Sequence, residues 1–160
     1  MSPQPTGTRT PDGRVVISRR LDAAPEETWS WITDPDRTAR WFGRWSGDPA
    51  SGRVAVQLSA EEGAPTSTTL IRTCEAPRRL VIENGLGWVL ALDVEADGAG
   101  SVLTLSQVMD DAEFAASVGP GWEFYLDRLV TARAGGDVDA IVFEPDYVPG
   151  QSAHYRALFS

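Results

Sequence analysis

The chain contains one cysteine and one histidine in 160 residues. A single thiol closes no intrachain disulfide and fits a reducing compartment, so a cytoplasmic location is expected. One imidazole builds neither a Ser-His-Asp triad nor a multi-histidine metal centre, and no metal or cofactor is expected. No apolar run approaches the length that spans a bilayer. The N-terminus lacks the basic start and apolar centre of a signal peptide. Positive charge is scarce, 14 basic residues against 23 acidic ones for a net charge of −9. That balance disfavours nucleic acid and anionic membrane as partners. Most arginines precede Leu80 and the second half is acidic, a distribution read as solubility rather than as a docking face. A glycine-rich phosphate loop is also missing, because Gly98-Ala99-Gly100 joins two predicted strands and opens no helix. What remains is a soluble chain, 42% apolar, of a length that fits one domain with a sizeable core.

Aromatic residues are concentrated instead. Four of the six tryptophans fall between Trp29 and Trp45. Pro25 suits a first helical position, where its missing N–H is unpaired anyway. Glu26 and Glu27 follow in the first turn, favoured by the positive helix end. Asp34-Pro35 stops that helix, and Asp34 can cap a second short one running through Arg40. Two short helices cannot bury those rings alone. They need a concave partner.

The partner is legible as strands. Arg14 to Leu21 alternates as a first strand. Gly47 to Gly52 is turn chemistry, and Val54, Val56 and Leu58 then alternate with Ala55, Gln57 and Ser59. Thr66 to Glu75, Leu80 to Glu83, Trp88 to Ala96 and Ser101 to Val108 follow, separated by short turns that include Asn84-Gly85. Strands so joined form an antiparallel meander whose apolar face needs a cover. The cover is a helix expected to begin near Pro120, with Trp122, Tyr125, Leu126 and Leu129 on one stripe. Asp110 to Val118 is read as a shorter helical piece leading in, and Pro149 to Phe159 as a terminal helix against the sheet's end. Met1 to Gly13, rich in Pro, Thr and Gly, reads as a disordered leader.

Four motifs stand in a fixed order: Ala23-Ala24-Pro25-Glu26-Glu27 with Trp29, Thr33-Asp34-Pro35 with Arg40-Trp41-Phe42-Gly43, Pro77-Arg78-Arg79-Leu80, and Gly121-Trp122 with Leu126-Asp127-Arg128-Leu129. In that order they resemble the AHSA1-like branch of the START/Bet v 1-like (SRPBCC) superfamily, from Arg14 to about Arg133. The resemblance implies an α+β helix-grip fold: a curved antiparallel sheet wrapped around a long C-terminal helix, with two short helices after the first strand. It implies one domain over residues 14–160, of which 136–160 form a C-terminal tail. The family name also carries an association with chaperones and the stress response. The Hsp90 activators that define it have an additional N-terminal domain, for which this chain has no room.

Trp41, Phe42, Trp45, Trp88, Trp122, Tyr125, Leu126 and Leu129 are the candidate site, the wall of an apolar pocket between sheet and long helix. Gly43 and Gly121 would let backbone approach closely, and Tyr125 and Arg44 would be polar handles. No catalytic residue is assigned. Cys74 is read as a buried small hydrophobe, His154 as a surface or capping residue, Asp110-Asp111 as a helix N-terminus, and Arg72 and Glu83 as solvated. The expected function is binding of a hydrophobic small molecule by a monomer or homodimer, without catalysis. A polyketide aromatase/cyclase- or dehydratase-like enzyme is the first alternative, and a chaperone-associated interaction module the second.

Overall fold

A computed structural model describes residues 3–58 and 61–160. Strands β1, Thr8–Arg9, and β2, Arg14–Leu21, are followed by helices α1, Pro25–Thr33, and α2, Pro35–Thr38. Next come β3, Arg44–Ser46, β4, Arg53–Gln57, β5, Thr66–Glu75, and β6, Arg79–Glu83. Strands β7, Val89–Asp97, and β8, Gly100–Val108, complete one antiparallel sheet in the order β1-β2-β8-β7-β6-β5-β4-β3. Helices α3, Ala112–Arg133, and α4, Ser152–Leu158, end the chain. Ser59, assigned above to the strand after the first turn, lies outside the described residues.

The fold is the helix grip. Short turns make β3 to β8 a meander, and β2 reaches the far side by pairing with β8 along its whole length. Val15, Ile17, Leu90, Leu92, Leu103 and Leu105 form a buried layer with Leu126 and Leu129 of α3. The register expected for β7 holds, with Leu90 and Leu92 inward; Ala91 on the opposite face is also buried.

The small-helix corner is held by polar ties. Asp34 Oδ1 accepts from the Asp36 N–H at 2.9 Å and caps α2. Thr28 and Ser101 share a buried hydroxyl contact of 2.6 Å, and Ser101 Oγ donates to the Ala23 carbonyl at 2.7 Å, fixing α1 to β8. All 14 basic residues are arginines. Their forked donors span elements that one ammonium could not. Arg133 reaches Glu27 at 3.0 Å and the Asp22 carbonyl at 2.6 Å, Arg40 the Ala132 carbonyl at 3.2 Å, and Arg128 the Trp41 carbonyl at 3.0 Å. The corner is therefore stapled to α3.

Four sequence expectations are corrected. First, α3 is one helix from Ala112, capped by Asp111 Oδ1 on the Phe114 N–H at 2.8 Å, and Pro120 lies inside it. An interior proline loses a ladder bond and costs about 3 kcal/mol. Here the proline is itself fully buried, with Gly119 and Trp122 buried near it. Second, the short helix expected to run through Arg40 ends at Thr38, and the chain after it forms the edge strand β3. Third, α4 lies on α3 rather than on the sheet's end: the Tyr155 ring fills the space where Gly119 has no side chain, 2.5 Å from the position a Cβ would take.

The fourth correction concerns the leader, which is docked from Pro3 onward. Thr8 and Arg9 pair with Val16 and Val15. The Thr6 N–H and hydroxyl donate to the Glu123 carboxylate at 2.6 and 2.7 Å, and the Gly7 N–H donates to Tyr155 Oη at 3.1 Å. The Gln151 amide donates to the Pro3 carbonyl at 3.1 Å. The strap is held by backbone and hydroxyl groups, so it leaves no apolar periodicity in the sequence. Hydrogen bonds to a charged group contribute about 1.5–3 kcal/mol each, and a domain of this size loses about 2–4 °C of Tm per kcal/mol. Deletion of residues 1–7 is thus expected to lower Tm by several degrees in a calorimetric scan. An unchanged Tm would show that the strap contributes nothing.

Candidate ligand cavity

A cavity of about 260 Å³ lies between the concave face of the sheet and the helices. Its floor is apolar: Val54 and Val56 of β4, Ile71 of β5, Leu80 and Ile82 of β6, Leu90 and Leu92 of β7, and Leu105 of β8. Its roof is Ile32 at the end of α1, then Trp41, Phe42 and Trp45, with Trp122 of α3.

The tryptophans are aimed by their indole nitrogens. A helix leaves its last carbonyls without intrahelical partners. At the end of α1 two of these are taken from outside: Trp41 Nε1 donates to the Trp31 carbonyl at 2.8 Å, and Trp45 Nε1 to the Thr33 carbonyl at 2.9 Å. Trp122 Nε1 donates to Gln107 Oε1 on β8 at 2.7 Å, a fully buried bond. With every N–H satisfied behind the wall, the rings present apolar surface to the cavity. Phe42 links them, 5.5 Å from Trp41 and 6.2 Å from Trp122 between ring centroids. Gly43 is required beside it, because a Cβ there would lie 2.0 Å from the Gln57 carbonyl oxygen.

Of the eight residues expected to form the site, Trp41, Phe42, Trp45 and Trp122 line the cavity. The other four stand apart from it. Trp88 packs edge-on against Phe114 at 5.2 Å, beneath the first turns of α3. Tyr125 sits behind Phe42 at 4.9 Å, and its hydroxyl donates to Glu61 Oε2 at 2.8 Å. Burial, with the Glu61 carboxylate beside it, pushes the Tyr125 phenol well above its ordinary pKa, so it remains a neutral donor. Leu126 and Leu129 belong to the closed core, where α3 rests directly on the sheet. Helical spacing shows which face of α3 is inward; it does not show that the cavity stops after Trp122.

Two suggested accessories also fall elsewhere. Arg44 pairs with Asp36 at 2.6 Å on the surface, and nothing lies within 4 Å of a Cβ built on Gly121. His154 Nε2 contacts the Gly7 carbonyl at 2.8 Å, Asp111 caps α3, and Arg72 pairs with Glu83 at 2.5 Å on the exposed face.

Cys74 is a residue that sequence reasoning placed wrongly. It is exposed and lies on the cavity wall. Its apolar character reads as buried, yet it stands exposed next to the last residue of β5. A register shift falls between Ile71 and Thr73. Strict alternation puts Ile71 and Cys74 on opposite faces, and one irregular residue brings both inward. The thiol thus stands at the accessible margin of the site. Alkylation of Cys74 by a maleimide is expected to slow when the cavity is filled, as followed by intact mass. An unchanged rate under saturating ligand would place the ligand elsewhere.

The remaining polar groups are few. Thr33 and Thr38 spend their hydroxyls on the Trp29 and Pro35 carbonyls. Ser67 and Thr69 of β5 and Asn84 after β6 complete the lining. No Asp, Glu, Arg or His lines the cavity among the described residues. Nor do they include a cluster of three or more His, Cys, Asp and Glu fit to hold a metal ion, or a helix long and apolar enough to cross a membrane.

Comparison with known proteins agrees with this architecture. CalU16 from Micromonospora echinospora is 27% identical in sequence, with a TM-score of 0.71 over 95% of this chain and 93% of that one. DynU16, a protein in the dynemicin biosynthetic locus, is 23% identical and covers 79% of this chain and 49% of its own, at a TM-score of 0.66. An AHSA1-like protein from Aeromonas hydrophila is 20% identical over 76% of this chain and 94% of its own, with a TM-score of 0.64. At those identities the last two show the fold alone. No curated protein matches the chain. Residues 22–133, which hold both the tryptophan corner and the cavity floor, match the family described as Activator of Hsp90 ATPase homolog 1-like protein, and the chain belongs to that family.

Proposed function

We propose that the protein binds a hydrophobic small molecule in the cavity between sheet and α3, without catalysing a reaction on it. The observation that supports this is the wall itself: a void of about 260 Å³ held open by three anchored indoles and lined without a charged side chain. Apolar walls with a few placed polar groups are the usual form of a ligand site. A catalyst that moves protons needs an ionisable group within hydrogen-bond reach of the reacting atoms. Among the described residues the cavity offers only the thiol of Cys74, at its margin.

Native mass spectrometry of freshly purified protein, joined to thermal shift with fatty acids, flavonoids and aromatic polyketides, tests the reading. A bound ligand raises stability by RT ln(1 + [L]/Kd), so Tm should climb with concentration. If no compound raises Tm and none co-purifies, a protein-interaction role takes first place. The occurrence of DynU16 in a biosynthetic locus favours a second reading, an aromatase/cyclase-like enzyme. Conversion of a bound polyketide during incubation would establish that reading over simple binding.

A further inference from the structure

We infer that the cavity selects an uncharged ligand carrying a carbonyl or phenolic oxygen at one end, which it seats against Asn84 and Thr69. The inference rests on the ligand-binding reading above and deepens it.

The polar groups of the wall are not scattered. Ser67 and Thr69 are alternate residues of β5 and so share its inner face. Asn84 follows β6 directly, and the next residue's N–H, that of Gly85, donates to Ser67 Oγ at 3.2 Å. The three side chains therefore meet at one end of the cavity. The opposite end of the same strand pair carries Cys74 and Leu80.

Asn84 is the chain's sole asparagine. Its Oδ1 accepts from the Leu86 and Trp88 N–H groups at 2.9 and 3.0 Å, which settles the orientation of the amide. Nδ2 is left as a donor with no protein acceptor among the described residues. Thr69 is 5% exposed and lines the cavity, yet its hydroxyl has no protein partner among them either. Neither atom is among the enclosed polar atoms that lack a partner, so both are open to the cavity they line, where a ligand oxygen can accept from them.

Neutrality follows from what the wall omits. With no cation lining it among the described residues, a carboxylate or phosphate would enter unpaired, and burying such a charge is far more costly than burying a neutral polar group. The size is bounded as well. The volume of about 260 Å³ lies just under the usual range of roughly 300–1,000 Å³ for ligand pockets. Fused aromatic rings bearing a ketone, quinone or phenol fit these limits; free fatty acids do not.

The test uses 2-acetylnaphthalene, 2-naphthoate and naphthalene with the full chain, by calorimetric titration and thermal shift. At pH 7.5 the ketone should bind at least about tenfold more tightly than the carboxylate. Naphthoate affinity should rise by about tenfold per pH unit between pH 7.5 and 5.5, because only its protonated form enters. Thr69→Val, and Asn84→Asp, which keeps the two turn bonds, should each shrink the advantage of the ketone over naphthalene. Naphthoate matching the ketone at pH 7.5, or both variants leaving the ketone's advantage intact, would overturn the inference while sparing ligand binding. If none of the three compounds binds, both readings fall together.

Discussion

Replacing Trp122 by alanine is expected to lower stability by about 3–5 kcal/mol, the range for truncating a buried tryptophan. The loss has two sources here. The ring is 8% exposed and bridges α3 to the cavity roof, so its removal enlarges an existing void rather than allowing collapse. It also orphans Gln107 Oε1, which is fully buried and whose partner is the indole N–H. Trp122→Phe separates the two effects, since it keeps most of the ring and forfeits only the bond, at about 1–3 kcal/mol. Urea unfolding of the two variants gives both numbers. A cost below about 1 kcal/mol for the alanine variant would mean that Trp122 is not part of a rigid wall.

The second large effect is expected at Glu123, a fully buried carboxylate on α3. Arg19 reaches it at 2.7 Å, the Tyr155 hydroxyl at 2.5 Å, and Thr6 twice. Breaking a buried ion pair by removing one partner costs about 3–5 kcal/mol. Glu123→Ala should fall in that range, because Arg19 loses one of its two carboxylate partners, keeping Asp127 at 2.9 Å, while the Tyr155 hydroxyl and Thr6 lose their acceptor. Burial alone would raise the Glu123 pKa, but bonds from Tyr155, Arg19 and Thr6 outweigh it and hold the group below the ordinary carboxylate range. The stability this provides is therefore present above the unfolded value of about 4.3 and is lost as pH falls through the lower folded value. The stability gap between the native chain and Glu123→Gln should be constant near neutrality and narrow only in that acid window. A gap that narrowed between pH 6 and 8 would contradict the assignment.

How far the sequence could be read depended on the kind of contact involved. Alternation in β2, β4, β7 and β8 and the proline-bounded corner were legible because burial imposes a period on them. Trp41, Phe42, Trp45 and Trp122 were legible as a wall because rings of that size cannot be left in water cheaply. Trp88 has the same composition signal and a different place, against Phe114. Nothing local distinguishes a ring that lines a void from one that fills it. Cys74 was read as buried from the usual place of a free thiol, and its exposure next to the end of β5 is a matter of position that residue type does not carry. Asn84 was read as turn chemistry, correctly, but the free half of its amide is a property of the folded end of β6. The strap was missed for a further reason: its partners are 117 and 148 positions away, and a backbone N–H writes no signature.

That separation has a kinetic consequence. Residues 6 and 7 precede the meander along the chain, yet their partners lie on α3 and α4, which follow it. Contacts of such high sequence separation bear the full loop-closure entropy, and they are expected to form late in folding. Interactions absent from the folding transition state act on the unfolding rate alone. The strap is therefore expected to lengthen the lifetime of the folded chain and to leave the speed of its formation unchanged, as a latch fastened after the door is shut.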